Sequence, residues 1–134
     1  MASTHKVPDI LNVVKSSAPY SHVVQHENML YVSGITGMDY EKGKLAGSDF
    51  ESQARQAFVN ISKILIECGS HMSKVIKTTV FLCDAENFEE MNNLYKEYFP
   101  KNPPARSTPI VGLPIDTLHI SIECVAYIDR KSVV

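Results

Sequence analysis

The sequence is poor in the features that mark secreted, zinc-binding and membrane-spanning proteins. Only 3 of its 134 residues are cysteines. Each lies in or beside an apolar run, no two have zinc-site spacing, and together they predict buried, reduced thiols rather than disulfides. No hydrophobic run is long enough to cross a membrane, and residues 1–8 show no signal or transit pattern, so we expect a cytoplasmic protein.

Positive charge is also scarce. The formal net charge is −2, and the longest basic stretch is Arg130-Lys131. Binding nucleic acid regardless of sequence requires a cluster of lysine and arginine, so we do not expect nucleic acid as a partner. His22 and His26 would lie about 13 Å apart along a strand, which favours two solvated histidines beside a turn over an RNA-cleaving pair.

Repeats, low-complexity segments and linkers are absent as well. With 44% hydrophobic residues, the length and composition predict a single domain over residues 1–134 that buries a core without disulfides or metal. We expect residues 1–8 and 130–134 to be flexible tails.

Helical periodicity predicts a first helix over residues 48–68. Ser48 and Glu51 form a capping-box pattern at its start, and Gly69 is well placed to end it. Its apolar stripe comprises Phe50, Ala54, Ala57, Phe58, Ile61, Leu65 and Cys68.

A second helix is predicted over residues 88–99. Asn87 and Glu90 match a cap, and Pro100 ends the helix. One side of this helix carries Phe88, Met91, Tyr95, Tyr98 and Phe99.

Strand patterns occupy most of the remaining chain. Residues 117–128 alternate between an apolar face and a mixed one that includes Ser121 and Glu123. This order predicts an α+β domain, with two helices packed on one face of a mixed β-sheet and a subunit interface on the other. The other predicted strands are residues 9–15, a hairpin of 22–26 and 29–33, and 75–82.

The most suggestive segment surrounds Arg106. Prolines on both sides stiffen the loop, and an arginine fork suits a carboxylate because it donates two parallel hydrogen bonds. Ser107 and Thr108 add further donors. The loop therefore predicts a site for a small organic acid, while an exposed loop with a surface salt bridge stays open as the alternative.

Four other positions have an ordinary explanation when taken alone. Ser33-Gly34 follows a strand and permits close approach of a ligand, but it also suits a plain turn. Tyr20 fits a packed aromatic with a solvated hydroxyl, and Asn92 fits a solvated helix face.

Taken together, these residues resemble the Rid family of reactive-intermediate deaminases, also called the YjgF or L-PSP endoribonuclease-like family. The resemblance runs from about Pro19 to Ile128. It rests on Pro19-Tyr20-Ser21, Val32-Ser33-Gly34, Gln53 to Ala57 with Asn60, Val75 to Phe81, Pro104-Ala105-Arg106-Ser107, Leu113-Pro114 and Ile122-Glu123.

The resemblance implies a chorismate-mutase-like fold and a homotrimer with a ligand cleft at each subunit interface. It also implies hydrolysis of small 2-imino acids to 2-oxo acids and ammonia, without metal or organic cofactor. Arg106 would hold the substrate carboxylate. Residues expected to line the cleft by the same resemblance are Tyr20, Ser33, Gly34, Asn92, Ser107 and Thr108.

Two departures from the family pattern bear on catalysis. Ser121 stands where close relatives of the founding deaminase carry a glutamate that is thought to position the attacking water. Serine is a poor base but can orient water, and Glu123 lies about 6.7 Å further along the same strand face. We also expect a different loop path after Arg106, because the chain is one residue shorter there and carries Pro109.

Three functions therefore stay open. The first is a 2-imino acid deaminase in which Arg106, Ser121 and Glu123 are the candidate catalytic residues. The second is a non-catalytic protein that binds small carboxylates, and the third is an L-PSP-type endoribonuclease or translation inhibitor. A metal enzyme is not predicted, because the five histidines show no ligand cluster.

Overall fold

The computed structural model describes residues 3–6 and 19–129. Within them lie helices α1 (Phe50–Glu67) and α2 (Phe88–Tyr98) and short 3-10 turns at Met72–Lys74 and Ala85–Asn87. The strands are β1 (Thr4–Lys6), β2 (Val23–His26), β3 (Met29–Ile35), β4 (Met38–Asp39), β5 (Lys44–Leu45), β6 (Val75–Leu82), β7 (Ala105–Ser107) and β8 (Ile120–Tyr127).

The main sheet has six strands in the order β1-β2-β3-β8-β6-β7, and β4 pairs with β5 in a separate ribbon. Only β7 pairs in parallel, with β6; the other ladders of the described sheet are antiparallel. The helices cover one face, as predicted, so the fold is a single mixed α+β domain. The buried side chains on that face include Leu30, Val32, Ile35, Val80, Leu82, Ile120, Ile122, Cys124 and Ala126.

The alternation predicted for residues 117–128 is confirmed within β8. Ile120, Ile122 and Cys124 are buried, while Glu123 on the opposite face is exposed. The strand starts three residues later than predicted, because the backbone N–H of His119 donates to the Gln53 side chain instead of a strand neighbour.

Helix α1 begins one residue later than its capping-box pattern indicates. Asp49, not Ser48, is the N-cap, and its carboxylate accepts from the backbone N–H of Ser52 at 3.0 Å. The pattern fails because Ser48 and Asp49 are adjacent and both are favoured N-cap residues, although only Ser48 has a glutamate three residues further on. Gly69 follows the helix with a φ of 85°, as its predicted role requires.

Helix α2 starts at Phe88 as predicted, but Asn87 makes no side-chain capping bond. The chain enters the helix through the 3-10 turn, where the Asp84 carboxylate accepts from the backbone N–H of Glu86. Buried side chains on α2 are Met91, Leu94 and Tyr95, whereas Phe88 is 43% exposed.

The hairpin of β2 and β3 is confirmed, with Glu27 at a φ of 53° in its turn. Thr4–Lys6 pairs with β2 as β1, and the expectation of a flexible tail over residues 1–8 stays a prediction. The predicted strand at residues 9–15 and the predicted tail at 130–134 lie outside the described residues.

Two buried polar side chains of α1 hold the loops beside the end of β3. The Asn60 amide donates to the carbonyls of Thr36 and Met38 at 3.1 and 2.8 Å. The Gln53 amide donates to the carbonyls of Gly47 and Thr117, each at 3.0 Å. These bonds satisfy buried groups and fix the walls of a cavity described below.

Candidate functional site

Arg106 lies on the edge strand β7, beside Thr78 of β6. Thr78 is buried among the helices, so the parallel register directs Arg106 to the same face. Its guanidinium carbon is 4.8 Å from the ring centroid of Tyr95 and 5.7 Å from that of Phe88. Nη1 donates to Met91 Sδ at 3.8 Å, so α2 holds the cation through aromatic rings and sulfur.

Tyr95 is itself fixed in place. Its hydroxyl and the Thr78 hydroxyl are 2.7 Å apart in a buried hydrogen bond. Burial raises the pKa of Tyr95, although the Thr78 hydrogen bond and the charge of Arg106 act in the opposite direction. The phenol therefore stays neutral at physiological pH and presents an uncharged ring to the guanidinium.

Arg106 forms no ion pair with any Asp or Glu of residues 3–6 and 19–129. By contrast, Arg55 contacts Glu51 and Glu97 within 4.0 Å. The alternative raised from sequence, a loop arginine engaged in a surface salt bridge, has no partner in the described chain. The guanidinium fork remains open to an anion.

A cavity of about 460 Å³ adjoins Arg106. The amide oxygen Oδ1 of Asn92 is buried and has no hydrogen-bond partner among the described residues. Such a group costs about 1–3 kcal/mol unless a donor reaches it. The cavity is lined by Asn92, Tyr95, Lys96, Phe99, Pro103, Pro104 and Arg106.

A second cavity, of about 410 Å³, lies at the end of β3. Its wall includes Tyr20, which is 54% exposed, and Gly34. Ser33 fixes the loop that carries Tyr20, because its hydroxyl donates to the Ser21 carbonyl at 2.5 Å and its N–H donates to the His22 carbonyl at 2.9 Å. The remaining lining residues are His22, Ile35, Thr36, Met38, Tyr40, Gly43, Ile115 and Leu118.

The absence of a side chain at Gly34 makes room for the Ser121 hydroxyl. A Cβ built on Gly34 would lie 2.6 Å from Ser121 Oγ, closer than any real contact. Ser121 is 9% exposed. The structure thus brings Ser33, Gly34 and Ser121 together with Tyr20, at a distance along the sheet from Arg106.

Five candidate residues line neither of these two cavities. Ser33 and Ser121 adjoin Gly34, which does line one, whereas the other three lie elsewhere. Glu123 lines a shallow groove of about 200 Å³ with Tyr31 and Lys77 on the open sheet face. Ser107 also points to that face, where Lys77 Nζ donates to its hydroxyl at 3.0 Å. Thr108 is partly buried just after β7, and its side chain forms no hydrogen bond with another described residue.

The loop after Arg106 follows β6 rather than the cavity. Leu82 N–H donates to the Pro109 carbonyl at 3.1 Å, and Val111 N–H donates to the Leu82 carbonyl at 2.8 Å. These bonds extend the parallel pairing of β7 past the proline. The expectation that this path differs from that of the founding subgroup stays a prediction.

Sequence reasoning missed the residues that hold Arg106 and misjudged one histidine. Helical periodicity predicts only one side of a helix for Phe88, Met91 and Tyr95. His22 was expected to be solvated with His26, but it is 9% exposed, and burial lowers its pKa from the ordinary value. The available signal was its place between Tyr20 and the buried Val23, just before a strand.

Two features of the described residues bear on the class of site. No group of three or more His, Cys, Asp or Glu side chains is arranged to hold a metal ion in the described part of the chain. Neither α1 nor α2 is long and apolar enough to cross a membrane.

Known proteins match the chain along most of its length. The model of the family described as endoribonuclease L-PSP matches residues 11–128. Human 2-iminobutanoate/2-iminopropanoate deaminase is 38% identical over 125 residues, covering 92% of this chain and 86% of the human protein. Escherichia coli TdcF, solved with bound serine, is similar with a TM-score of 0.81 and 28% identity over 91% of this chain and 98% of that one.

A plant relative is similar as well. Reactive Intermediate Deaminase A of Arabidopsis thaliana, named as chloroplastic, is 37% identical over 127 residues. The match covers 94% of this chain and 64% of the Arabidopsis protein, so the chain spans less than two thirds of that relative. The matched family model and these identities show that the chain belongs to the endoribonuclease L-PSP family, the same family as the Rid (YjgF) deaminases.

Proposed function

We propose that this chain hydrolyses small 2-imino acids to 2-oxo acids and ammonia, with Arg106 binding the substrate carboxylate. Membership of a family with relatives named as imine deaminases supports the reaction class. The observation that carries the proposal is the guanidinium of Arg106, which is oriented by Tyr95 and Phe88 and has no carboxylate partner among the described residues. The substrate itself would supply that partner.

The chemistry asks little of the protein. A protonated imine carbon is already electrophilic, so binding, orientation of one water and proton transfer are sufficient. Arg106 would fix the carboxylate and Asn92 would contact the same end of the substrate. Ser33 and Gly34 would shape the other wall, and Ser121 would orient the water through its hydroxyl. The proposal uses no metal or organic cofactor.

Glu123, Ser107 and Thr108 are weaker members of the proposed site. The side chains of Glu123 and Ser107 lie on the open sheet face. We therefore assign Glu123 to contacts between subunits. Ser107 and Thr108 would reach substrate only through their backbone N–H groups.

We further propose that the site forms between copies of the chain in a homotrimer. Tyr20 and Gly34 line one cavity, while Asn92 and Arg106 line another. In the proposed trimer, the cleft between two copies would join the Arg106 half of one chain to the Gly34 half of the next. The mixed side chains of the open sheet face, including Tyr31 at 48% exposed, suit such an interface.

A non-catalytic carboxylate-binding protein is the second candidate. It is favoured by Ser121, which cannot serve as a base at neutral pH. The endoribonuclease role is disfavoured, because the net charge is −2 and the longest basic stretch of the sequence is Arg130-Lys131. Cytoplasmic location remains a prediction, since one relative is named as chloroplastic.

A coupled assay separates the first two candidates. An amino-acid oxidase generates the imine in situ, and semicarbazide traps what has not been hydrolysed. We expect the protein to lower semicarbazone formation for imines derived from alanine, butyrine or leucine. A rate equal to that of the protein-free control for all three would contradict the deaminase proposal.

Two measurements test the assembly. Light scattering should give three times the mass of the chain, and a monomer would contradict the intersubunit cleft.

Co-expression of Arg106→Met with Gly34→Val chains provides the functional test, because each variant damages a different half. If clefts form between copies, about a quarter should combine two intact halves and regain activity. No recovery in verified mixed trimers would place both halves in one chain.

A further inference from the structure

His22 stands out among the cavity residues to which no role is assigned above. Its side chain is 9% exposed, yet no side-chain hydrogen bond joins its ring to another described residue. The ring lies 5.5 Å from that of Tyr20 at an angle of 52°, on the wall of the cavity that Gly34 also lines. A mostly buried imidazole that faces a cavity and forms no hydrogen bond with another described residue is a group available to a ligand.

The backbone holds His22 firmly next to the candidate water site. Ser33 N–H donates to the His22 carbonyl, and the Ser33 hydroxyl donates to the carbonyl of the preceding Ser21. On the other side of β3, the hydroxyl of Ser121 lies against Gly34. His22 immediately precedes β2 and Ser121 belongs to β8, the two strands that flank β3, so about 10 Å of sheet separates their backbones. The two side chains and one water between them can span that distance.

We propose that His22 is the proton-transfer residue of the deaminase reaction, acting on a water that Ser121 helps to orient. This inference rests on the proposed function. Ser121 is a poor base, so the reaction needs another group to accept a proton from water. In the described cavity wall, the histidine ring is the group suited to accept and donate protons near neutral pH.

In the proposed reaction, His22 accepts and returns each proton that is transferred. A neutral ring nitrogen takes a proton from water as the oxygen bonds to the iminium carbon and the π electrons move to nitrogen, giving a carbinolamine. The imidazolium then protonates the amine. The carbon–nitrogen bond breaks, a hydroxyl lone pair forms the carbonyl, and the hydroxyl proton passes through His22 to ammonia. The products are the 2-oxo acid and ammonium.

The surroundings favour this cycle. Burial lowers the pKa of His22, so the ring is neutral and able to accept a proton at pH 7. Tyr20 and Tyr40 are the titratable groups that share its cavity, and no acidic or basic side chain of the described residues other than His22 lines that wall. Burial, with a smaller effect from Tyr20, raises the pKa of Tyr40, which therefore stays protonated through the relevant range.

The test compares His22→Gln and His22→Asn with the wild type in the semicarbazide assay, from pH 5 to 8, after subtraction of the protein-free rate. We expect a loss of about 100-fold at pH 7. Wild-type activity should fall as the pH drops through the lowered pKa of His22, and this acid limb should be absent from the residual activity of both variants. His26→Gln is the matched control, since His26 is exposed and bonded to Ser3, and it should match the wild type.

Binding of 2-oxobutyrate, measured by calorimetry, keeps this inference separate from the proposed function. Both His22 variants should bind within about threefold of the wild type, because the carboxylate anchor lies elsewhere. An active wild type whose His22 variants keep full rate and an unchanged pH profile overturns the role of His22 alone. A wild type that binds the acid but hydrolyses no imine overturns the deaminase function and this role together.

Discussion

Replacement of Arg106 by methionine tests the anion site most directly. Methionine retains most of the apolar contact with Tyr95 and Phe88 but removes the charge and the fork. A bidentate carboxylate contact contains two charge-assisted hydrogen bonds of about 1.5–3 kcal/mol each. The loss of about 3 kcal/mol predicts roughly 100-fold weaker binding of 2-oxobutyrate by calorimetry.

The stability of Arg106→Met separates a ligand site from a structural ion pair. No Asp or Glu of the described residues pairs with Arg106, so the substitution leaves no carboxylate unpaired there. The folded chain loses two cation–π contacts, about 0.5–1 kcal/mol each. At roughly 4 °C per kcal/mol, the Tm should fall by about 4–8 °C. Breaking a buried ion pair would instead cost about 3–5 kcal/mol.

Lys96 supplies the matched control for charge alone. It lines the same cavity but is exposed, and solvent and salt screen such a cation. Lys96→Met should therefore weaken binding by no more than a few fold. Unchanged affinity in Arg106→Met, or an equal loss in both variants, would refute the assignment of Arg106 as the carboxylate anchor.

Three further predictions concern Gly34, Asn60 and the N-cap of α1. Gly34→Ala should turn the Ser121 hydroxyl away, because the new Cβ would lie 2.6 Å from it, and imine hydrolysis should fall about tenfold while thermal melting shifts little. Asn60→Ala should lower the free energy of unfolding in urea by about 2 kcal/mol, since the carbonyls of Thr36 and Met38 lose their donor; the exposed Asn93→Ala should change it by less than about 0.5 kcal/mol. Asp49→Ala should lower the Tm and Ser48→Ala should not. The Ser52 backbone N–H lowers the pKa of Asp49, so its contribution is present above the unfolded pKa and lost as the pH falls through the lower folded pKa; equal Tm values for the two variants at pH 7 would contradict the cap assignment.

Periodic segments were predictable because burial imposes a period on the sequence. The alternation through Ile120, Ile122 and Cys124 located the central strand, and Gly69 located the end of α1. The caps were not predictable to the residue. Ser48 and Asp49 are both favoured N-cap residues, and only the geometry of the folded turn selects between them.

The candidate site was predictable by residue type more than by arrangement. The loop sequence identifies Arg106, but the aromatic rings that orient its guanidinium belong to α2, for which the sequence predicts only a packing face. His22 was dismissed as solvated because its burial depends on the loops near Gly34 and Leu118, which are distant in sequence. Contacts across such distances leave no periodic signal in one sequence.

Ser121 stands where close relatives of the founding deaminase are expected to carry a glutamate. The packing beside Gly34 changes how this difference should be understood. Ser121 is not an isolated defect, because its hydroxyl occupies space that Gly34 leaves open, and a longer side chain would have to share it. The base that we propose, His22, immediately precedes β2 and therefore lies across β3 from Ser121. A single substitution at position 121 therefore alters the free space beside Gly34, the position of the water and the proton transfer together. For this reason the pH profile of His22 variants, rather than the rate of any Ser121 variant, identifies the group that moves the proton.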